Sequence, residues 1–364
     1  MNALIGALEP SQGWVLSAPM AARAFITGVS GTRLTPDERA FFREALPWGL
    51  VLFRRNIEAP EQVKNLVADF QGIVGDAAAV LVDQEGGRVQ RLGPPHWPSY
   101  PAGAVYGRIY DREPQFALRV AQAGARLMAA DLGLLGIDVD CLPLADIRTA
   151  GADNVIGDRA YGEAPGKVAA IAGAIAAGLL EGGVLPVLKH LPGHGRATVD
   201  SHAELPVVDA DRDLLEATDF EAFRPLAGLC CGMTAHVVFS AIDPIAPATT
   251  SFTIVQKVIR GSIGFKGLLM TDDISMGALS GSISERARAA FGAGCDILLH
   301  CNGGLEEMQA VAGEAPVLAG DAQRRAMAAL ASRRTPIECD LLELRRMFDA
   351  AIVDHIGAVA GMVL

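Results

Sequence analysis

Residues 189–202, KHLPGHGRATVDSH, bring one Lys, three of the chain's seven His and one Asp into a stretch of fourteen. Two chemistries suit such a set: metal ligation and proton transfer. His190 and His194 are four apart, which on a helix would put both imidazoles on one face. Pro192, Gly193 and Gly195 forbid a regular helix there, and no H-E-x-x-H pattern occurs. A metal site is therefore disfavoured. Asp200 and His202 are better placed for proton transfer. A carboxylate two residues from an imidazole in a turn can fix its tautomer and raise its pKa from about 6.5. In isolation the same Asp also reads as a solvated turn residue.

Two other stretches carry chemistry-bearing side chains. LLMTDDISMG (268–277) ends an apolar run in Asp272 and Asp273. A carboxylate there can be a nucleophile or charge stabiliser, or a cap and structural ion pair. VDQEGGRVQRL (82–92) sets Asp83, Glu85, Arg88 and Arg91 around two glycines. Asp83 can accept hydrogen bonds from vicinal hydroxyls, and Arg91 can hold it or reach a ligand. A salt-bridged turn is the plainer alternative. NVIGDRAYG (154–162) offers Arg159 in a similar loop. Carboxylates, Lys, Arg and His without a phosphate loop or metal set suit a polyhydroxylated ligand and acid/base chemistry.

These residues need elements to hold them. Eight short apolar runs read as strands: AFITGVS (24–30), GLVLFRR (49–55), AAVLVDQ (78–84), IDVDCLPLA (137–145), VLPVLKH (184–190), GMTAHVVF (232–239), GLLMTDD (267–273) and DILLHCN (296–302). Helical patterns alternate with them, at 35–46, 59–74, 114–133 and 211–228. Thr35, Ser251 and Ser282 are placed to cap helices, and two further helices, near 320–334 and 340–353, end the chain. Eight βα units without a low-complexity linker predict a (β/α)8 barrel, one catalytic domain over 1–364. Its core runs from about 20 to 318, with extra C-terminal helices over about 319–364. A doubly wound sheet is the runner-up, but no G-x-G-x-x-G follows the first strand. In a barrel, chemistry sits at the C-terminal strand ends. Asp83, Lys189-His190 and Asp272-Asp273 fall there, with His236 late in strand six and His300 late in strand eight.

Bulk composition narrows the class. The 364 residues are 51% hydrophobic and only 5% aromatic, so Ala, Leu, Val and Ile must build the core. A net charge of −11 without a basic stretch argues against nucleic-acid binding. Arg324-Arg325 and Arg333-Arg334 read as solvated helix faces. The six Cys form no C-x-x-C pair and read as reduced small hydrophobes. The start, MNALIGALEPSQGW, has no basic region, so no secretory signal is expected. The longest apolar stretch, Val168 to Leu180, falls short of the about 18 residues of a membrane span. The expectation is a cytoplasmic protein.

Taken together, KHLPGHGRATVDSH, VDQEGGRVQRL, VIGDRAYG, MTAHVVFSAID, PATTS and MTDDISMG resemble the blocks of bacterial β-N-acetylglucosaminidases of glycoside hydrolase family 3, in the family's order over about residues 20–305. These are cytoplasmic enzymes of peptidoglycan recycling. The hallmark K-H-F-P-G-H-G is changed only at Leu191. The resemblance implies a retaining two-step mechanism with Asp272 as nucleophile, His202 as general acid/base and Asp200 as its partner. Asp273 would be structural, and His194 and His236 are left without a role. Asp83, Arg91, Arg159, Lys189 and His190 would bind N-acetylglucosamine. The implied substrate is N-acetylglucosamine β-1,4-linked to 1,6-anhydro-N-acetylmuramic acid, with or without peptide. No cofactor or metal is implied. The only partner expected is this small carbohydrate, on a monomer or weak oligomer. Two alternatives remain: a phosphorylase of the same glycosides, and a muropeptide-binding protein without turnover.

Overall fold

The computed structural model describes residues 22–360 of the chain. The N-terminal stretch read above for a signal lies outside them. Eight parallel strands form a closed barrel: β1 (Arg23–Thr27), β2 (Pro47–Leu52), β3 (Ala79–Val82), β4 (Val139–Asp140), β5 (Leu185–Leu191), β6 (Cys231–Thr234), β7 (Leu268–Asp273) and β8 (Ile297–His300). Each overlaps one of the eight predicted runs. The barrel closes where β8 pairs with β1, in the register Phe25 to Leu298 and Thr27 to His300. That closure excludes a doubly wound sheet.

Side chains alternate between two cores, as the period of a strand requires. Ala79 and Leu81 of β3, Leu268 and Met270 of β7, and Ile297 and Leu299 of β8 fill the lumen with Cys141 and Cys231. Their neighbours Val80, Val82, Leu269 and Leu298 pack outward under the helices. The lumen is narrow, so small and flexible side chains suit it. All six cysteines are free thiols; Cys141, Cys231 and Cys295 are buried, whereas Cys339 is exposed.

The caps form as their sequences predict. Thr35 and Glu38 make a reciprocal capping box on helix Pro36–Ala45, and Ser282 and Glu285 do so on Ile283–Ala293. Ser251 Oγ accepts the N–H of Ile254, although the segment it starts, Ile254–Ser262, winds as a π-helix. Helix Pro114–Gly133 matches its predicted span.

Three expectations need correction. The helix expected over 211–228 breaks at Thr218 into Arg212–Ala217 and Asp219–Phe223, followed by a 3-10 turn that holds Pro225. Arg196 explains the break: it bonds Asp219 Oδ2 at 2.7 Å and Thr218 Oγ1 at 3.0 Å, tying this corner to the 189–202 loop. β6 stops at Thr234, so His236 lies beyond the strand rather than late in it. The apolar Val237, Val238 and Phe239 continue the strand-like pattern, but Val238 and Phe239 pair with Val207 and Val208 instead.

The third correction concerns the arginine pairs. Arg325 grips Asp296 at 2.6 and 2.8 Å, and Arg333 meets Asp138 at 2.6 Å. Both carboxylates precede strands, at the N-terminal end of the barrel. These arginines therefore fasten the closing helix, Gly320–Ala331, and the turn after it under the base. Arg324 alone of the first pair is solvated. Among the described residues no helix is long and apolar enough to cross a membrane.

Candidate active site

The chain leaves β3 at Val82 and turns back at once. Residues Gln84–Gly86 and Val89–Gln90 form a short antiparallel ribbon, reversed at Gly86 and Gly87 with φ of 90° and 57°. Such positive φ values favour glycine. The reversal returns Arg91 to Asp83, with Nη2 2.8 Å from Oδ2. Glu85, on the ribbon, receives two bonds from Arg159, Nε to Oε2 and Nη2 to Oε1, both 2.8 Å. Lys189, at the end of β5 and 2% exposed, places Nζ 3.1 Å from Asp83 and 2.7 Å from Glu85. The result is an unbroken chain of alternating charge: Arg91, Asp83, Lys189, Glu85, Arg159.

Burial works against every charge in that chain, and the neighbours overcome it. Lys189 and Arg91 hold the Asp83 carboxyl well below its usual range, and Arg159 and Lys189 bring Glu85 down to about 2. Glu85 and Asp83 in turn push Lys189 up. Among the described residues each Asp83 carboxylate oxygen has one donor, and such an oxygen accepts more than one. Asp83 therefore keeps acceptor capacity for ligand hydroxyls.

His190 follows Lys189 and is held by a residue the sequence did not mark. Asp146, fully buried beyond β4, lies 2.7 Å from His190 Nδ1 through Oδ2. Its Oδ1 accepts the His194 backbone N–H at 2.7 Å. Burial pushes Asp146 up, but His190 and the other donors keep it below the usual carboxylate value. An ionised carboxylate only accepts, so Nδ1 of His190 carries the proton and Nε2 is left for the cleft.

Asp272 and Asp273, side by side at the end of β7, have different surroundings. Asp272 Oδ1 accepts the Asp273 N–H at 2.8 Å. Its Oδ2 has no hydrogen-bond partner among the described residues. Burial raises its pKa, but the imidazoles of His236 and His190, the Asp273 N–H and Lys189 bring it below the ordinary value. Asp273 is fully engaged instead. It accepts from Ser275 N, Ser275 Oγ and Cys301 N, at 3.0, 2.6 and 3.0 Å. His236, fully buried, donates Nε2–H to the Asp273 carbonyl at 2.9 Å and lies 2.7 Å from Thr249 Oγ1. It supports the strand end from behind.

On the 189–202 loop, Asp200 Oδ1 is 2.7 Å from His202 Nδ1 and also accepts the His202 N–H at 2.9 Å. The His202 side chain is 68% exposed. Burial pushes the Asp200 carboxyl up, and those two donors together bring it below its ordinary value. The expected turn between carboxylate and ring is present, and it presents Nε2 outward.

All eight residues expected at the site, Asp83, Arg91, Arg159, Lys189, His190, Asp200, His202 and Asp272, line one cleft of about 650 Å3 at the C-terminal end of the barrel. Glu85 and Asp146 are additions. Glu85 carried a signal, a second acid two residues after Asp83. Asp146 ends the apolar run of strand four, as Asp83 ends that of strand three, and the same reading would have found it. No group of three or more His, Cys, Asp or Glu suited to a metal is present among the described residues.

A closed barrel with a carboxylate, a His–Asp pair and a fixed chain of alternating charge around one cleft is an arrangement suited to a glycoside hydrolase. The comparisons agree. Residues 29–333 match the glycosyl hydrolase family 3 N terminal domain. A β-hexosaminidase of Aromatoleum aromaticum is 36% identical over 92% of this chain and 93% of its own length. Another, of Alkalilimnicola ehrlichii, is 40% identical over 76% and 79%. The crystal structure of NagZ from Neisseria gonorrhoeae with N-trifluoroacetyl-D-glucosamine superposes with a TM-score of 0.80 at 32% identity, over 93% of this chain and 98% of that one. The chain belongs to glycoside hydrolase family 3, and within it to the β-N-acetylhexosaminidases.

Proposed function

We propose that the protein is a retaining exo-β-N-acetylglucosaminidase. It removes terminal, non-reducing β-1,4-linked N-acetylglucosamine from peptidoglycan fragments, N-acetylglucosaminyl-1,6-anhydro-N-acetylmuramic acid with or without peptide. It acts in the cytoplasm, as a monomer or weak oligomer, through one catalytic domain and without a cofactor. The observation that carries the reading is the contrast at β7. Asp272 is held as a carboxylate with an oxygen free, while both oxygens of Asp273 are taken up by Ser275 and the Cys301 N–H.

In the first step Asp272 Oδ2 attacks the anomeric carbon while His202 Nε2–H protonates the departing oxygen, and a glycosyl ester forms. In the second step neutral His202 takes a proton from water, the water oxygen attacks the same carbon, and Asp272 leaves as a carboxylate. Asp200 keeps the Nδ1 proton in place and stabilises the imidazolium that donates in the first step and is restored in the second. Asp83 accepts from sugar hydroxyls. Lys189, Arg91, Arg159 and His190 fix Asp83 or donate to the sugar.

The test is turnover of p-nitrophenyl β-N-acetylglucosaminide and of the anhydro-disaccharide. Wild type cleaves both with retention, and Asp272→Ala loses at least about 10³-fold, the scale of losing a nucleophile. Undiminished turnover by Asp272→Ala would sink the assignment. An imidazole that is neutral between steps does not repel an incoming phosphate, and this favours phosphorolysis as the second reading. Sugar 1-phosphate formed on adding phosphate would replace the hydrolase with a phosphorylase. Sugar binding without turnover would leave only a muropeptide-binding protein.

A further inference from the structure

The Asp200–His202 turn is exposed, yet the residue between its two working members is not. Ser201 is 2% exposed, and its Oγ lies 2.9 Å from Nε2 of His194. His194 is equally buried and is anchored by its own N–H on Asp146. The far side of the turn is fastened too. The carbonyls of Ser201 and His202 accept the N–H groups of Ala278 and Gly277, both at 3.2 Å. Gly277 sits so close that a Cβ there would lie 2.9 Å from the His202 carbonyl oxygen and 2.8 Å from that of Ala203. The loop that follows Asp272 and the turn that carries His202 are thus packed backbone to backbone.

His194 is an odd side chain for a packing role. Burial, and then His190, bring it down to about 4, so it is neutral at neutral pH. Its Nδ1 is buried with no hydrogen-bond partner among the described residues. A buried unsatisfied nitrogen is costly, and an apolar ring would fill the space without that cost. What an apolar ring cannot do is bond Ser201.

We propose that His194 and Ser201 form a latch that seats the acid/base turn over the cleft, which makes both of them positioning residues for His202. The proposal rests on His202 being the general acid/base. The latch runs from Asp146, which also holds His190, so the sugar grip and the proton donor share one buried foundation. This gives the central His of the loop a role that needs no metal.

The test compares two aryl β-N-acetylglucosaminides by kcat/KM, which reports the first, ester-forming step. A phenyl leaving group needs the proton from His202; a dinitrophenyl group does not. For Ser201→Ala we expect the phenyl substrate to lose roughly tenfold, part of the about 10²–10⁴ due to general acid–base catalysis, and the dinitrophenyl substrate less than about threefold. Equal losses on the two substrates, or no loss on either, overturn the latch. His202→Ala is measured beside it. If that variant shows no dependence on the leaving group, the acid/base reading falls and the latch with it. Dependence in His202→Ala but not in Ser201→Ala removes the latch alone. If Ser201→Ala does not fold, the same comparison on His194→Phe, which keeps a ring in place, decides the matter.

Discussion

Lys189 is almost fully buried in the cleft, and it stays ionised because Asp83 and Glu85 flank it within 3.1 Å. Glu85 is the member whose loss can be read most directly. Removing its charge leaves Arg159 without its bidentate partner and Lys189 with only Asp83. Breaking a buried pair in this way costs about 3–5 kcal/mol. Glu85→Gln should therefore lower the thermal midpoint markedly and raise KM. Acid titration gives an independent check. The Glu85 carboxyl ionises at about 2 in the fold, against 4.5 for the free side chain. Between those values the unfolded chain binds the extra proton. The stabilisation from Glu85 is complete above pH 4.5 and is lost as the pH falls toward 2. Denaturant midpoints of wild type should fall more steeply over that window than those of Glu85→Gln. Parallel slopes would show that the ion chain does not stabilise the fold. Asp83 and Lys189 were legible as site residues because they end apolar runs. Their bond to each other was not, since 106 positions separate them.

Elements decide where these side chains meet. The eight strands could be read because strands buried on both faces leave uninterrupted apolar runs, each stopped by a polar residue at the cleft. The same signal failed at 232–239, where apolar residues continue past the end of β6 to serve a second, two-stranded pairing. It also failed at 211–228, where helical periodicity persists through the break that Arg196 stabilises from another loop. Periodicity reports burial, not the chain's direction. Local chemistry fared better at the caps, because Thr35 and Ser282 act on residues three positions away. The approach of the β4 and β5 loops is a further feature that only the fold reveals. A Cβ on Gly195 would lie 1.8 Å from the carbonyl oxygen of Ile147, beside Asp146. Backbone on both sides leaves no room to yield. Gly195→Ala should cost about 1–3 kcal/mol in overpacking and weaken kcat/KM through His190 and His194. Unchanged urea midpoints and kinetics would mean the two loops are not rigidly apposed.

The whole molecule divides its duties between the ends of the barrel. The cleft opens at the C-terminal rim, and Asp296, bracketed by Arg260 and Arg325, secures the base. Asp296→Asn should cut stability by about 3–5 kcal/mol yet leave KM unchanged when assayed well below its melting temperature. A change in KM would show the ends to be coupled. The seam between β1 and β8 has a consequence of another kind. Thr27 and His300 meet across 273 positions, and residues 316–318 then bond back along the start of β1. A chain emerging from the ribosome meets these partners in the wrong order. β1 can pair with β2 at once, but its other edge waits for β8, at least on the order of ten seconds at typical elongation rates. Through that interval the nascent protein carries an open, apolar strand edge that invites pairing with other chains. Stalled chains ending before β8 should thus be digested by protease and bound by chaperones. Chains long enough to free residue 318 from the ribosome should resist digestion, and their protection should appear in a single step.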